Sequence, residues 1–250
     1  MSFPLVLCTG MMRSGSTWSF NVCRLIGKIV AGREKKPMWS GYRLAAEADA
    51  FFDQALPNPP GPTILKIHKL TPRGLEILNR NQAKAVCTFR DPRDCVASMI
   101  TFANASFDVA LQTIAQALDN LNGTASPNTL FIRYEDMIQN RLAHIRAIAQ
   151  HLGVFVDQSL CEKIDSLTSI ERSREVCRSL KDRPEDTVLR AMNDHRVDPE
   201  TWLHDNHIQN GRHGRWKEEM SADQVRILNE TYGPWLQRLG YGDSARKIAV

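Results

Sequence analysis

A glycine-rich turn follows the first apolar run of the sequence and has the composition of an anion-binding loop. In the stretch LVLCTGMMRSGSTWSF, residues 5–20, the apolar run ends at Gly10, and four residues separate it from Gly15. A P-loop would continue with Lys and then Ser or Thr, whereas this chain continues with Ser16 and carries its cation inside the loop, as Arg13. Backbone amides at a helix start, a guanidinium and hydroxyls favour a bound phosphate. The alternative is a tight turn beside a core tryptophan.

A lysine and a histidine share the end of a second apolar run. In LKIHK, Lys66 and His68 alternate on a predicted strand, so their side chains are expected to point the same way. Histidine is the usual general base near neutral pH. The pair therefore predicts a proton-transfer site, and the alternative is a solvated strand end.

A third run ends in the stretch FRDPRDCVAS, residues 89–98. Arg90 stands where the predicted strand stops, and the following helix places Ser98 two turns further on. An arginine and a serine near a helix start could hold a second phosphate. Taken alone, the stretch favours a surface ion pair of Arg90 with Asp91 or Asp94.

Short apolar runs alternate with helical patterns along the first part of the chain. The predicted strands are residues 4–9, 63–68, 83–89 and 129–134. The predicted helices are residues 16–31, 92–103, 108–121 and 137–152. This order predicts an α/β fold with a parallel β-sheet flanked by helices, and ligands bind such sheets at the carboxyl ends of the strands. Residues 1–250 are expected to form a single domain with a P-loop-type nucleotide-binding core and a mainly helical C-terminal part, in which the polar stretch 181–215 suggests a loop or lid.

Composition narrows the class of protein. With 250 residues, 42% hydrophobic and 24% charged, and a net charge of +4, the chain is an ordinary globular protein whose charge is too weak to imply nucleic acid. The six cysteines form no C-x-x-C pair, no His cluster has metal-ligand spacing, and no segment is long and apolar enough for a membrane span. The N-terminus lacks the features of a signal peptide. We therefore expect a cytoplasmic protein with reduced thiols, no metal and no membrane partner.

Taken together, the motifs resemble those of the cytosolic-type sulfotransferase family, which uses 3′-phosphoadenosine 5′-phosphosulfate (PAPS) and releases PAP. MMRSGSTW (11–18) looks like the 5′-phosphosulfate loop, KIHK (66–69) like the block that carries the catalytic base, RDPRDCVAS (90–98) like the 3′-phosphate block, and GRHGRWK (211–217) like the C-terminal block. YEDM (134–137) and TSI (168–170) are weaker matches. The blocks occur in family order.

The resemblance implies a role for each matching residue. His68 would be the general base, Lys66 would stabilise the transferring sulfuryl group, and Arg13 would act on the 5′-phosphosulfate, where the family has a lysine. The other implied nucleotide-binding residues are Ser14, Gly15, Ser16 and Thr17 at the 5′-phosphate, Arg90 and Ser98 at the 3′-phosphate, Trp18, Tyr134, Thr168 and Ile170 around the nucleoside, and Gly211 and Arg212 in the last block.

Two departures bear on these roles. An arginine at position 13 keeps the positive charge but cannot act as an acid, because it stays protonated. The family's Arg-Lys pair before the last block reads Gln209-Asn210 here, so two phosphate-binding cations are absent, and Arg212 or Arg215 are candidates to replace them. There is no clear match to the family's dimer motif, so the oligomeric state stays open.

The sequence specifies the acceptor poorly. A small-molecule hydroxyl or amine is expected, with catalysis by positioning and side-chain cations and without a metal. The stretch RLAAEADAFFD (43–53) is interpreted as an amphipathic helix, with an acidic acceptor pocket for a nitrogen-rich metabolite as the alternative.

Two other classes of protein stay open. A P-loop-type kinase or NTPase would share the glycine loop but would need the lysine that is missing here and a carboxylate for Mg²⁺. A non-catalytic nucleotide-binding protein would have no need of Lys66 and His68.

Overall fold

A five-stranded parallel β-sheet forms the centre of the protein, in a computed structural model that describes residues 5–55, 61–191, 194–208 and 212–242. The strand order is β2-β3-β1-β4-β5. The strands are β1 (Leu5–Gly10), β2 (Trp39–Tyr42), β3 (Thr63–Lys66), β4 (Ala83–Phe89) and β5 (Thr129–Arg133). The α/β fold class and the four predicted strands are confirmed. The sequence did not predict β2, since WSGY has neither a continuous apolar run nor a clear alternation, and it lies at the edge of the sheet.

Helices cover both faces of the sheet. They are α1 (Ser16–Glu34), α2 (Ala45–Ala55), α3 (Pro72–Asn79), α4 (Pro92–Ala103), α5 (Phe107–Gly123), α6 (Tyr134–Gln139), α7 (Arg141–His151), α8 (Gln158–Leu167), α9 (Ile170–Ser179), α10 (Trp216–Glu219) and α11 (Ala222–Arg238). The single helix predicted over 137–152 is wrong in one respect, because the chain breaks at Asn140. The Asn140 side chain accepts a hydrogen bond from the Ala143 amide at 3.1 Å and so starts a second helix.

The first strand sits between β3 and β4 in register, with Leu5 opposite both Thr63 and Ala83. All six residues of β1 are buried, as expected for a central strand covered on both faces. The chain runs from β1 out to the edge strand β2 and later crosses back from β3 to β4. The direction of strand addition therefore reverses next to β1, which opens a crevice at the carboxyl ends of β1 and β4.

Apolar side chains from both faces of the sheet pack into three clusters. One joins α1 to the sheet and α7, a second lies under α2 and α3, and a third joins α4, α5 and α11. The six cysteines are free thiols, as expected, and all are buried like small apolar side chains. No helix in the described part of the chain is long and apolar enough to cross a membrane.

The C-terminal part wraps back over α1 by way of an irregular segment. Two short strands, β6 (Leu189–Arg190) and β7 (Arg196–Val197), form a small antiparallel hairpin. Beyond it, Glu200 forms ion pairs with Arg24 and Lys28 of α1. The described residues of the polar stretch that was predicted as a loop or lid thus pack against the first helix.

Candidate active site

The loop after β1 is shaped for an anion. Gly10 has φ 142°, and a Cβ there would lie 2.4 Å from the Thr88 carbonyl oxygen, so the loop and β4 can approach only at a glycine. Gly15 caps α1 with φ 88° and no side-chain hydrogen bond. The first amides of the helix therefore have no acceptor within the helix, which is the arrangement that binds phosphate.

The hydroxyls of the loop have different surroundings. The Ser14 hydroxyl is buried and lies 2.6 Å from the Met11 carbonyl and 2.7 Å from Thr88 Oγ1, so it ties the loop to β4. Within the described residues, no hydrogen bond uses the hydroxyls of Ser16 and Thr17. Only these two of the three predicted hydroxyls are therefore available to a ligand in this conformation.

Lys66 and His68 meet at the carboxyl end of β3. The strand stops at Lys66, earlier than predicted, yet Lys66 Nζ lies 3.2 Å from His68 Nε2. Because an ammonium can only donate, His68 Nε2 accepts and its proton sits on Nδ1. That Nδ1 is buried and has no hydrogen-bond partner among the described residues. The structure therefore brings the two predicted catalytic side chains together.

Burial shapes the charge state of this pair. It lowers the pKa of His68 to about 3, helped by the positive charges of Lys66 and Arg13 and opposed in part by the Gly10 backbone. It also lowers the pKa of Lys66 to about 8, again with help from Arg13. At neutral pH, His68 is a neutral imidazole and Lys66 keeps its proton.

Arg90 lies at the end of β4 and is only 4% exposed. Its NH2 donates to Asp94 Oδ2 at 3.1 Å and to the Arg212 carbonyl at 2.8 Å, while its guanidinium lies 4.4 Å from the centre of the Tyr134 ring. Arg90 does pair with Asp94, as one interpretation of the sequence proposed, but the pair is buried and not on the surface. The Arg90 Nε is buried and has no partner within the described residues.

The two aspartates beside this strand end have structural tasks. Asp91 accepts hydrogen bonds from the Arg93 amide and side chain and so starts α4. Asp94 accepts from the amide of Gly214 at 2.6 Å and of Trp216 at 3.2 Å, besides Arg90. Both carboxylates are therefore occupied by protein donors, which leaves little to bind the Mg²⁺ that a kinase would need.

Arg13 turns towards α4. Its backbone has φ 66°, a left-handed conformation that is uncommon for arginine. Its Nε donates to Ser98 Oγ at 3.0 Å, its NH2 donates to the His207 carbonyl at 2.9 Å, and its guanidinium lies 4.0 Å from the centre of the Phe102 ring. Burial and the charge of Arg90 lower its pKa to about 10, so it stays protonated.

The predicted nucleoside-binding residues fall into two groups. Trp18 and Tyr134 lie beside the loop, and a Cβ on Gly15 would come within 3.1 Å of the Tyr134 ring. The Trp18 indole nitrogen is buried without a partner among the described residues. By contrast, the Thr168 hydroxyl bonds to the Ile164 carbonyl at 2.8 Å, and Ile170 begins α9. Their contact with a ligand would involve methyl or backbone groups.

The last predicted block is described only in part. Gly211 lies outside the described residues, as do Gln209 and Asn210. Arg212 offers its carbonyl to Arg90, but its guanidinium pairs with Glu218 at 3.2 Å in an exposed position. Arg215 is buried and pairs with Glu219 at 2.7 Å.

Histidines from the irregular C-terminal segment reach the same site, although the motifs of the sequence did not predict them. His204 and His207 stand 5.5 Å apart, and both contact the Phe102 ring edge-on. His195 donates to Asp205 at 2.8 Å and accepts from Asn206 at 3.0 Å. Four of the seven histidines fall in residues 195–213, which was a signal in the sequence that could have found them.

The acidic residues of α2 do not form a pocket. Glu47 accepts from the Leu44 amide at 3.1 Å, Asp49 accepts from the Thr71 hydroxyl, and Asp53 lies 3.8 Å from Arg73. Phe52 of the same helix is fully buried. The segment is the amphipathic helix that the sequence favoured.

The described ranges contain no candidate metal site. No group of three or more His, Cys, Asp or Glu side chains there is arranged to hold a metal ion.

Comparison with known proteins places these features in a family. The profile of the family described as "Sulfotransferase domain" matches residues 4–240. Sulfotransferase 1C2 of Oryctolagus cuniculus is 23% identical over 91% of this chain and 81% of its own length. Sulfotransferase 6B1 of Homo sapiens is 24% identical over 65% of this chain and 59% of its own length.

Two solved structures share the fold. Mouse sulfotransferase SULT7A1 complexed with PAP superposes with a TM-score of 0.65 and 18% identity, over 94% of this chain and 84% of that one. Retinol dehydratase in a complex with retinol and PAP superposes with a TM-score of 0.63 and 15% identity, over 100% of this chain and 84% of that one.

Proposed function

The chain belongs to the sulfotransferase domain family, and on that premise we propose that it transfers a sulfuryl group from PAPS to a hydroxyl or amine of a small molecule, with His68 as general base. The observation that carries this proposal is the Lys66–His68 pair, which lies at the carboxyl edge of the sheet where the anion-binding loop also ends. Structures of retinol dehydratase, which shares this fold, hold PAP together with retinol or with androsterone, which supports a nucleotide and a small acceptor in this protein.

The nucleotide would lie across the ends of β1 and β4. The amides of α1 and the hydroxyls of Ser16 and Thr17 would hold its 5′-phosphate, and Arg90 and Ser98 its 3′-phosphate. The unpaired, buried Arg90 Nε is a donor that a bound anion would satisfy, so the residues fit the group. Trp18 and Tyr134 would pack on the nucleoside, with Thr168 and Ile170 beside it, and Ser14 and Gly15 would shape the loop.

His68 and Lys66 would work as a coupled pair. In this conformation, the Lys66 ammonium donates to the only lone pair that the neutral His68 ring offers. The phosphosulfate of bound PAPS would supply the reactive sulfuryl group and a nearby negative charge. That charge would draw Lys66 away from Nε2 and free the lone pair for the proton of the acceptor. It would also oppose the positive charges that lower the pKa of His68, which brings the base closer to the working pH.

The acceptor would be a molecule with an aromatic or apolar body. The Tyr42 ring lies 5.9 Å from the His68 ring and 5.3 Å from the Trp202 ring. These rings border the base with the flat, weakly polar surface that suits an aromatic alcohol or amine. The carboxylates of α2 are engaged elsewhere, as described above, so we do not expect selection for a cationic acceptor.

Calorimetry with PAP in the presence of EDTA, followed by an acceptor screen with labelled PAPS, tests this function. We expect metal-independent binding of PAP, and turnover of at least one aromatic acceptor. His68→Ala should lower turnover at least about 10²-fold, as the loss of a general base does, while PAP binding persists. Full activity in that variant would refute the base. Transfer from ATP with Mg²⁺, without any from PAPS, would instead establish the kinase alternative.

A further inference from the structure

The position of Arg13 does not match the role that the sequence resemblance implies for it. At the equivalent place, the family's lysine is expected to act on the 5′-phosphosulfate. Here the guanidinium is fixed by Ser98, the His207 carbonyl and the Phe102 ring, all on the α4 side of the site. Ser98 is the residue that we assign to the 3′-phosphate of the nucleotide.

Three arginines, Arg13, Arg90 and Arg215, lie near one another here, and the described carboxylates around them pair with only two of the three. Arg90 pairs with Asp94 and Arg215 pairs with Glu219, each in a buried setting. The hydrogen bonds of Arg13, by contrast, go to neutral oxygens, and no ion pair joins it to a described carboxylate. A cation that is largely shielded from water and has no counter-ion is costly, and a bound anion would remove that cost.

We propose that Arg13 binds the 3′-phosphate of the nucleotide together with Arg90 and Ser98, and not its 5′-phosphosulfate. This inference rests on the proposed function. Arg13 would replace one of the two cations that are missing at Gln209-Asn210. Lys66 would then be the side-chain cation that serves the sulfuryl group.

The local geometry suits a phosphate dianion. The Arg90 NH1 donates to the Arg13 carbonyl at 3.3 Å, so the two residues are adjacent and their cations can share one ligand. Ser98 accepts from Arg13 Nε, which leaves the proton of its own hydroxyl free to donate. A planar guanidinium can donate to Ser98 from one nitrogen and still present its other nitrogens to phosphate oxygens. A lysine side chain has a single ammonium nitrogen and is less suited to bind both at once.

A truncated ligand separates the two ends of the nucleotide. Calorimetry would compare PAP with 5′-AMP, which lacks the 3′-phosphate, for the wild type, Arg13→Gln and the matched surface variant Arg226→Gln. We expect Arg13→Gln to weaken PAP binding about 10- to 100-fold, the effect of losing a charge-assisted hydrogen bond. Binding of 5′-AMP should stay within about twofold, and Arg226→Gln should match the wild type for both ligands.

Each other outcome has a definite meaning. If Arg13→Gln weakens PAP and 5′-AMP equally, Arg13 acts on the shared 5′ end and this inference is wrong, while the proposed function stands. If the wild type does not bind PAP, the proposed function fails and the inference fails with it. Should Arg13→Gln not fold, Arg13→Lys, which keeps the charge but loses the planar guanidinium, gives the same comparison: it should reduce the preference for PAP over 5′-AMP, and an unchanged preference would contradict the shared site.

Discussion

The buried lysine beside the base makes a prediction about stability as well as activity. Lys66 is 5% exposed, and burial lowers its pKa from 10.5 to about 8. Because the unfolded chain holds this proton more tightly, keeping Lys66 charged in the fold costs about 3 kcal/mol near pH 7. Lys66→Met keeps the length of the side chain and removes the charge. We expect the variant to be more stable by about 2–3 kcal/mol and to lose most of its activity.

The pH dependence gives the reasoning a second test. As the pH rises from about 8 to about 10.5, the folded protein loses the Lys66 proton and the unfolded chain keeps it. The stability of the wild type should therefore increase over this range, towards that of the variant. The gain from Lys66→Met should be largest near pH 7 and should shrink above pH 8.

Urea unfolding, followed by circular dichroism near pH 7 and pH 9.5, measures both effects. Lys69→Met is the matched control, since Lys69 is exposed three residues further along the chain and should change stability by less than about 0.5 kcal/mol. A Lys66→Met protein that is no more stable than the wild type near pH 7 would refute the reasoning. So would a gain that does not depend on pH.

Two further predictions concern acid sensitivity and the loop. Burial lowers the pKa of His68 to about 3 and of His204 to about 4, so the folded state resists their protonation. The stability of the protein should fall as the pH drops below about 6.5, with about 1 kcal/mol lost from each histidine by pH 5.5. Bound PAP should reduce that loss. Urea midpoints that do not change between pH 7 and pH 5.5 would contradict this prediction. Gly10→Ala would place a Cβ 2.4 Å from Thr88 and should lower the free energy of unfolding by about 3 kcal/mol. Gly32→Ala, on an open face of α1, should instead raise it by about 0.5–1 kcal/mol. Thermal melts of both variants measure these changes. Equal effects of the two substitutions would show that the loop is not constrained as described.

Much of the fold could be predicted because local patterns encode it. Apolar runs of strand length and helix signals such as Asp91-Pro92 placed four of the five strands of the sheet and the helices α1, α4 and α5 correctly, while α3 was not predicted. The edge strand β2 was missed, because its pairing with β3, and not its own composition, makes WSGY a strand. The break at Asn140 was missed for a related reason: a capping residue competes with helix continuation, and apolar periodicity does not register that competition.

The sequence by itself determined which chemical groups gather at the carboxyl edge of the sheet. The order of strands, glycines and short motifs placed Lys66, His68 and Arg90 there, since parallel strands end at one edge. Only the tertiary structure decided how these groups are used. It turned the Ser14 hydroxyl inward, placed Arg13 on Ser98, 85 positions away in the chain, and added His204 from the C-terminal segment. Contacts between distant segments depend on packing, and no local pattern of residues records them.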